Sequence, residues 1–340
     1  MIVAFAVAGC QPPNPPVADR SYLLLRNEVD PKKPCKVAKF ATIPVKVIHD
    51  TVLVPVRVNG TFTVGILDTG SEDTVLTPAM VAAAKLTVDP KQKPRRYYGV
   101  AGGFNISMVQ ANTIQIGALK LEPPWPSYVF DFADSNKEKI GALIGMNAID
   151  HLDWDIDFVH GRMTSFETQN CHDIDPLWDT KSTGLPMTRG TNKQFSTIAN
   201  MLALSANVTI PVAFDGGIVT AIFDTGARRT YMTREGAHKA GITNAQLDSD
   251  PLTEVSAING KKQQARRHNV PEMVVGEDVV RDFSVNVAES RNRDNEFDMI
   301  LGMDWIAKHR IWLSFSTDSL YVDSGEKKPP NWLPAPKIPE

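Results

Sequence analysis

The sequence predicts a mainly β protein made of two homologous lobes. Three observations carry this. Most regular stretches are short runs of β-branched and apolar residues separated by turn formers such as Asn59–Gly60 and Asp215–Gly216. Four landmarks occur twice in the same order. The length, 340 residues, supplies two domains of ordinary size.

Residues 1–40 stand apart from the lobes. "MIVAFAVAGCQ" is an apolar run too short to span a bilayer, and it ends in small residues and Cys10. Val7-Ala8-Gly9-Cys10 resembles a bacterial lipobox, in which the Cys is lipidated and becomes the first mature residue. No Lys or Arg precedes it, which a start codon set too late explains; an ordinary export signal or an apolar stub are the other readings. The following "QPPNPPVADR" suits a tether. The expectation is an exported protein, periplasmic or held at the outer membrane by lipid on Cys10. Cys35 and Cys171 are then left as an even pair, before and after the first repeat. In an oxidising compartment they can form a disulfide, and two unpaired thiols are the alternative.

The first lobe is placed at 41–166. It opens with "VLVPVRVNGTFTVGILDTG", two alternating runs meeting at Asn59–Gly60, and a short helix is expected at "TPAMVAAAKL". The second lobe, at 207–323, opens with "VTIPVAFDGGIVTAIFDTG", and "TREGAHKAGI" is its helix. Later come "GALIGMNAIDHL" and "DMILGMDWIAKH", and a strand pair closes each copy: "WDIDFVHGRMTSF" and "RIWLSFSTDSLYV". Asp68 and Asp224 lie 156 residues apart and Gly145 and Gly302 lie 157 apart, so internal duplication explains the pattern. Residues 167–206 read as a surface connection and 324–340 as a Pro-rich tail.

Composition excludes several classes. The net charge is −3 and basic residues are scattered, so no nucleic-acid surface is expected. No apolar run has membrane-spanning length. The seven His form no His-Glu-x-x-His pair, and all are expected to be surface or structural residues. No Gly-x-Ser-x-Gly elbow or phosphate-binding loop is present. Neither a metal nor another cofactor is expected.

A single Asp-Thr-Gly is usually a turn. Two copies, each after an apolar strand and each followed later by apolar-apolar-Gly, resemble the aspartic proteases. "ILDTGSEDTVL", "LIGMNAID" and "ILGMDWIA" are similar to retropepsin segments, arranged as pepsins arrange their lobes, in one chain. Met146 and Met303 stand where retropepsins have Arg, so any salt bridge of that Arg is expected to be lacking. The resemblance implies a bilobal retropepsin/pepsin-like fold, with a cleft between two β-barrel-like lobes, and an aspartic endopeptidase acting on extended polypeptide, with Asp68 and Asp224 as catalytic pair. It also implies a monomer with an internal pseudo-dimer, in which Thr69 and Thr225 grip one another across the lobes. Two carboxyls sharing one proton supply the base and the acid that amide hydrolysis needs. Gly70 and Gly226 permit the tight turn and the close approach of the partner loop. A non-catalytic peptide-binding pair of lobes, and an enzyme active only as a homodimer, are the rivals.

Three asymmetries carry further expectations. "RRYYGVAGGFNIS" resembles a flap, with Tyr98 or Tyr97 as flap tyrosine and Gly99, Gly102 and Gly103 for mobility; "TEVSAINGKKQQ" has only Gly260, so one functional flap is expected. Ser71 follows the first motif and Ala227 the second. A Ser71 hydroxyl donating to Asp68 would make Asp68 the ionised partner; a turn serine facing solvent is the other reading. Glu72–Asp73 stands against Arg228–Arg229, so one end of the cleft would be acidic and the other basic, unless these charges simply stay solvated.

Overall fold

The computed structural model describes residues 30–323, apart from 31, 89–93, 100–101, 122–124, 133–139, 172–173, 175, 179–181, 183, 190–206, 258–259 and 289–296, together with residues 5–6. Cys10 and the Pro-rich tail lie outside the described residues.

Three sheets organise the chain. The first lobe holds an 11-stranded sheet and the second an 8-stranded one. A 6-stranded sheet joins them, in the order Leu185–Pro186, Ser319–Asp323, Arg310–Ser314, Asp153–Asp157, Arg162–Gln169, Lys36–Pro44. Its middle seam pairs Asp153–Asp157 of the first copy with Arg310–Ser314 of the second, antiparallel. The closing strand pairs of both copies therefore build one sheet. Lys36–Pro44 lies at its edge against Arg162–Gln169, so a strand of this sheet starts inside the stretch read from sequence as tether. Cys35 and Cys171 are joined by a disulfide that ties this edge strand to the end of its neighbour. Among the described residues no helix is long and apolar enough to cross a membrane. The short strand Phe5–Ala6 pairs with Arg95–Gly99 and forms the edge of the first lobe's sheet.

Each lobe places its aspartate in the same way. In the first, Thr51–Val58 and Thr61–Leu67 form a hairpin whose turn residues Asn59 and Gly60 have φ of 48° and 80°, the type I′ geometry that Asn-Gly favours. Ile140–Ile144 then lies parallel to Thr61–Leu67 on one side and antiparallel to Val75–Leu76 on the other. The chain thus passes down one flank of a central strand, makes the aspartate loop at its end, and returns up the other flank. In the second lobe Met299–Leu301 is the central strand between Gly217–Phe223 and Tyr231–Met232. Each return leg runs into a short helix, Pro78–Ala83 or Arg234–Lys239, capped by a threonine: Thr77 accepts the Met80 N–H at 3.2 Å and Thr233 the Gly236 N–H at 2.9 Å.

The main core runs through both lobes. It takes Leu67, Leu76 and Ile144 from the first and Phe223, Met232 and Leu301 from the second, with Trp154 and Trp305 fully buried. Met146 and Met303 also belong to it, and these thioethers pack where an ion pair would have needed polar partners.

Candidate active site

The two aspartate loops meet at the bottom of the cleft between the lobes. The backbone N–H of Asp68 donates to Ile144 O at 2.9 Å, and that of Asp224 to Leu301 O at 3.1 Å, so each central strand fixes its aspartate. Thr69 and Thr225 exchange bonds across the lobes. Thr69 N donates to Thr225 Oγ1 at 3.1 Å, and Thr225 Oγ1 donates to Leu67 O at 2.9 Å. Reciprocally, Thr225 N donates to Thr69 Oγ1 at 2.9 Å, and Thr69 Oγ1 donates to Phe223 O at 2.7 Å. All four bonds are buried, where a polar group without a partner is costly.

The glycines explain themselves by what faces them. A Cβ on Gly70 would sit 2.4 Å from Cγ of Asp224, and one on Gly226 would sit 2.4 Å from Cγ of Asp68. Each lobe's glycine is the seat of the other lobe's carboxyl, and any side chain there would push the pair apart.

Both carboxyls are fully buried. Burial, then the charge of Asp224, pushes Asp68 well above the ordinary carboxylate range. Burial pushes Asp224 up to about 7, against backbone donors that favour its charged form. The donors are similar in kind: Asp224 Oδ1 accepts from Gly226 N at 2.8 Å and Ala227 N at 3.1 Å, and Asp68 Oδ1 accepts from Gly70 N at 3.0 Å, with the Ser71 N–H also favouring its charged form. No described donor reaches Oδ2 of either residue. Two buried acceptor oxygens side by side call for one proton between them.

The hydroxyl bond expected of Ser71 is not formed. The Ser71 hydroxyl donates to Asp73 O at 2.9 Å, closing its own loop, and does not reach Asp68. It neither faces solvent nor selects the ionised partner.

Arg228 Nε donates to Thr51 Oγ1 at 3.1 Å, and Arg229 pairs with Asp50 at 3.3 Å. Both arginines reach the opposite lobe, Arg229 at the His49–Asp50 turn, where both residues adopt positive φ, and Arg228 at the first residue of the strand that follows it. The second loop is thus pinned to the first lobe, and its arginines do not simply stay solvated. Glu72, half-buried, accepts the Asn147 N–H at its carbonyl at 2.9 Å, which ties it to the turn after Ile140–Ile144.

The flap segment forms a hairpin, Arg95–Gly99 with Gly102–Ala111, and Gly99 faces Gly102 at its tip. The side chains of Tyr97 and Tyr98, and the tip itself, lie outside the described residues. The second lobe has a hairpin at the same place, Leu252–Ser256 with Lys262–Val275. Both lobes carry the hairpin, because pairing depends on the alternating pattern on either side of the turn more than on glycines within it.

Two supports went unnoticed in the sequence. Thr230 donates to Asp304 from its hydroxyl at 2.7 Å and from its N–H at 3.0 Å, and Gly302 N donates to Thr230 Oγ1 at 3.1 Å. In the first lobe Thr74 Oγ1 donates to Asn147 Oδ1 at 2.8 Å. The signal was available: a threonine six residues after each aspartate, and a polar residue two after each later glycine. Three histidines pair with carboxylates away from the dyad: His160 with Asp157, His268 with Asp250, and His309 with Asp278. Among the described residues no His, Cys, Asp and Glu cluster could hold a metal.

A family model described as aspartyl protease matches the chain twice, over residues 54–148 and 210–305. Similar solved structures include a retropepsin-like aspartic protease from Rickettsia conorii, 13% identical, with 40% of this chain and 95% of that chain covered and a TM-score of 0.27. Another is the aspartic proteinase from Irpex lacteus, 13% identical, with 86% of this chain and 98% of that chain covered and a TM-score of 0.45. No curated protein matches this sequence.

Proposed function

Since this chain belongs to the aspartyl protease family, we propose that it is an endopeptidase that cuts extended polypeptides with water activated between Asp68 and Asp224. The observation that carries the reading is the buried carboxyl pair, each member seated on the other lobe's glycine and both raised in pKa. In the resting state Asp224 is the carboxylate and Asp68 holds the proton. Water attacks the peptide carbonyl carbon while Asp224 takes one of its protons and Asp68 gives its proton to the carbonyl oxygen. The resulting gem-diol collapses: its C–N bond breaks, Asp224 passes its proton to the departing nitrogen, and a diol hydroxyl returns a proton to Asp68. Atoms and charge balance, and the pair ends as it began. An extended substrate suits the cleft because hairpin and floor both offer backbone groups.

Because one chain contributes both aspartates, a monomer suffices. Export, with lipid on Cys10 as anchor, is part of the proposal, and the Cys35–Cys171 disulfide supports an oxidising compartment. Cys10→Ser should then move the protein from the membrane to the soluble fraction; unchanged fractionation would refute the anchor. For the chemistry, a peptide library should be cut by the wild type and by neither Asp68→Asn nor Asp224→Asn, with circular dichroism reporting intact folds. No cleavage by the wild type at any pH would make this a peptide-binding protein instead.

A further inference from the structure

We infer that the lobes present chemically different side-chain subsites beside the dyad: an apolar one on the first lobe, and a hydrogen-bonding one built from Tyr231 and Asn286 on the second. The inference rests on the endopeptidase reading and deepens it.

The sheet behind each aspartate has two faces. One enters the common core. The other carries Ile66, Val75 and Leu143 in the first lobe, and Ile222, Tyr231 and Ile300 in the second. Strand alternation puts Ile66 on the side of Asp68, and Ile222 on the side of Asp224. Ala227, in the aspartate loop itself, packs into the second of these clusters. The hairpin strands adjoin the same faces, through Ile106 in the first lobe and through Val255 and Ala265 in the second. These faces therefore lie on the dyad's side of each sheet.

Equivalent positions then diverge. Val75 lies beside Tyr128 on the neighbouring parallel strand; its counterpart Tyr231 lies beside Asn286. The aromatic ring has crossed to the adjacent strand, and an amide stands where the first lobe has a ring. Around the amide the second face is made smaller by Ala227, Ala265 and Ala288. Tyr231 is 2% exposed and Asn286 7%. No described residue hydrogen-bonds the Tyr231 hydroxyl or the Asn286 side-chain amide, and neither is among the polar atoms sealed from water without a partner, so both stay open to a ligand. Burial raises the phenol well above its ordinary range, so it stays a donor.

Two neighbouring polar groups in an otherwise apolar wall, with no partner among the described residues, fit a ligand that supplies one. A substrate side chain bearing a hydroxyl or amide (Ser, Thr, Asn, Gln) completes both. An apolar isostere leaves both unsatisfied, which is how a hydrogen-bonding site rejects it. The first-lobe face, with Ile66, Val75, Ile106 and Leu143, suits a large apolar side chain instead.

Matched peptides differing only in Thr against Val, or Ser against Ala, at each position flanking the cut test this. The wild type should favour the hydroxyl member by roughly tenfold on one side of the cut only. Tyr231→Phe and Asn286→Leu should bring that ratio toward one and leave the ratio on the other side unmoved. Equal cleavage of both members on both sides, or a preference that survives in both variants, overturns the inference. The same pairs made uncleavable with a reduced amide, measured by binding, separate the two claims: a wild type that cuts nothing fails as an endopeptidase, while its Thr/Val binding ratio still judges the subsite.

Discussion

Thr225→Val should be among the most damaging single changes in the molecule. The Thr225 hydroxyl accepts the Thr69 N–H at 3.1 Å and donates to Leu67 O at 2.9 Å, both buried and both across the lobes. Valine keeps the shape and removes both bonds, leaving a backbone donor and a backbone acceptor without partners. Each such group costs about 1–3 kcal/mol, so the expected loss is about 2–6 kcal/mol. That is a large share of the roughly 5–15 kcal/mol that holds a typical domain together. Thr225→Ser keeps the hydroxyl, deletes one methyl, and should lose about 1 kcal/mol. Thr69→Val should mirror Thr225→Val, and the double variant should cost less than the two singles together, because the four bonds form one network. Urea unfolding followed by tryptophan fluorescence measures all of these. A Thr225→Val protein within about 0.5 kcal/mol of wild type, or a Ser variant as damaged as the Val variant, would refute the reasoning.

Other expectations follow from the dyad and the disulfide. Asp68 and Asp224 both sit above the ordinary value of 3.8, so the folded chain binds more protons than the unfolded one. The pair's contribution to stability is present at low pH and is lost as pH climbs from there toward about 7. Replacing both by Asn should flatten that part of a melting-temperature profile, and an unchanged slope would contradict it. Peptide cleavage should lose activity on the acid side as Asp224 gains its proton, so full activity at strongly acid pH would show the charge assignment to be wrong. Ala227→Ser should leave that acid limb where it is, because a serine there will close onto its own loop as Ser71 does; a downward shift would show the hydroxyl reaching Asp224. Opening the Cys35–Cys171 link, with a sequence separation of 136, by a double Ala substitution should cost about 5 kcal/mol on a chain-entropy estimate. Reductant should lower the melting temperature of the wild type in the same way, and a wild type indifferent to reductant would refute this.

The duplicated, mainly β architecture was legible because its signals are short-range. Alternating runs, Asn59–Gly60 and the repeated Asp-Thr-Gly all lie within one hairpin and its loop. The meeting of Asp68 with Asp224 could be anticipated only because the copies were recognised as symmetric. What escaped notice depends on distant partners. Nothing local in "WDIDFVHGRMTSF" says that its neighbour will be Arg310–Ser314 of the other copy, or that Lys36–Pro44 will extend the same sheet. The Ser71 hydroxyl had two acceptors within reach, and only the loop geometry decides for Asp73 O. The cross-lobe bonds of Arg228 and Arg229 could not be foreseen because sequence does not show that the His49–Asp50 turn lies opposite. The exchange of Val75 and Tyr128 for Tyr231 and Asn286 needs strand register before it can be seen at all.

The reciprocal seating of carboxyl and glycine bears on how such a protein is made. Asp68 leaves the ribosome long before Gly226, which is its seat, and long before Asp224, its partner in proton sharing. Until the second half has been synthesised and has docked, the first holds a lone carboxyl with nothing opposite. The proposed hydrolytic activity therefore switches on only with complete assembly, and the cell that makes the chain meets no half-built protease.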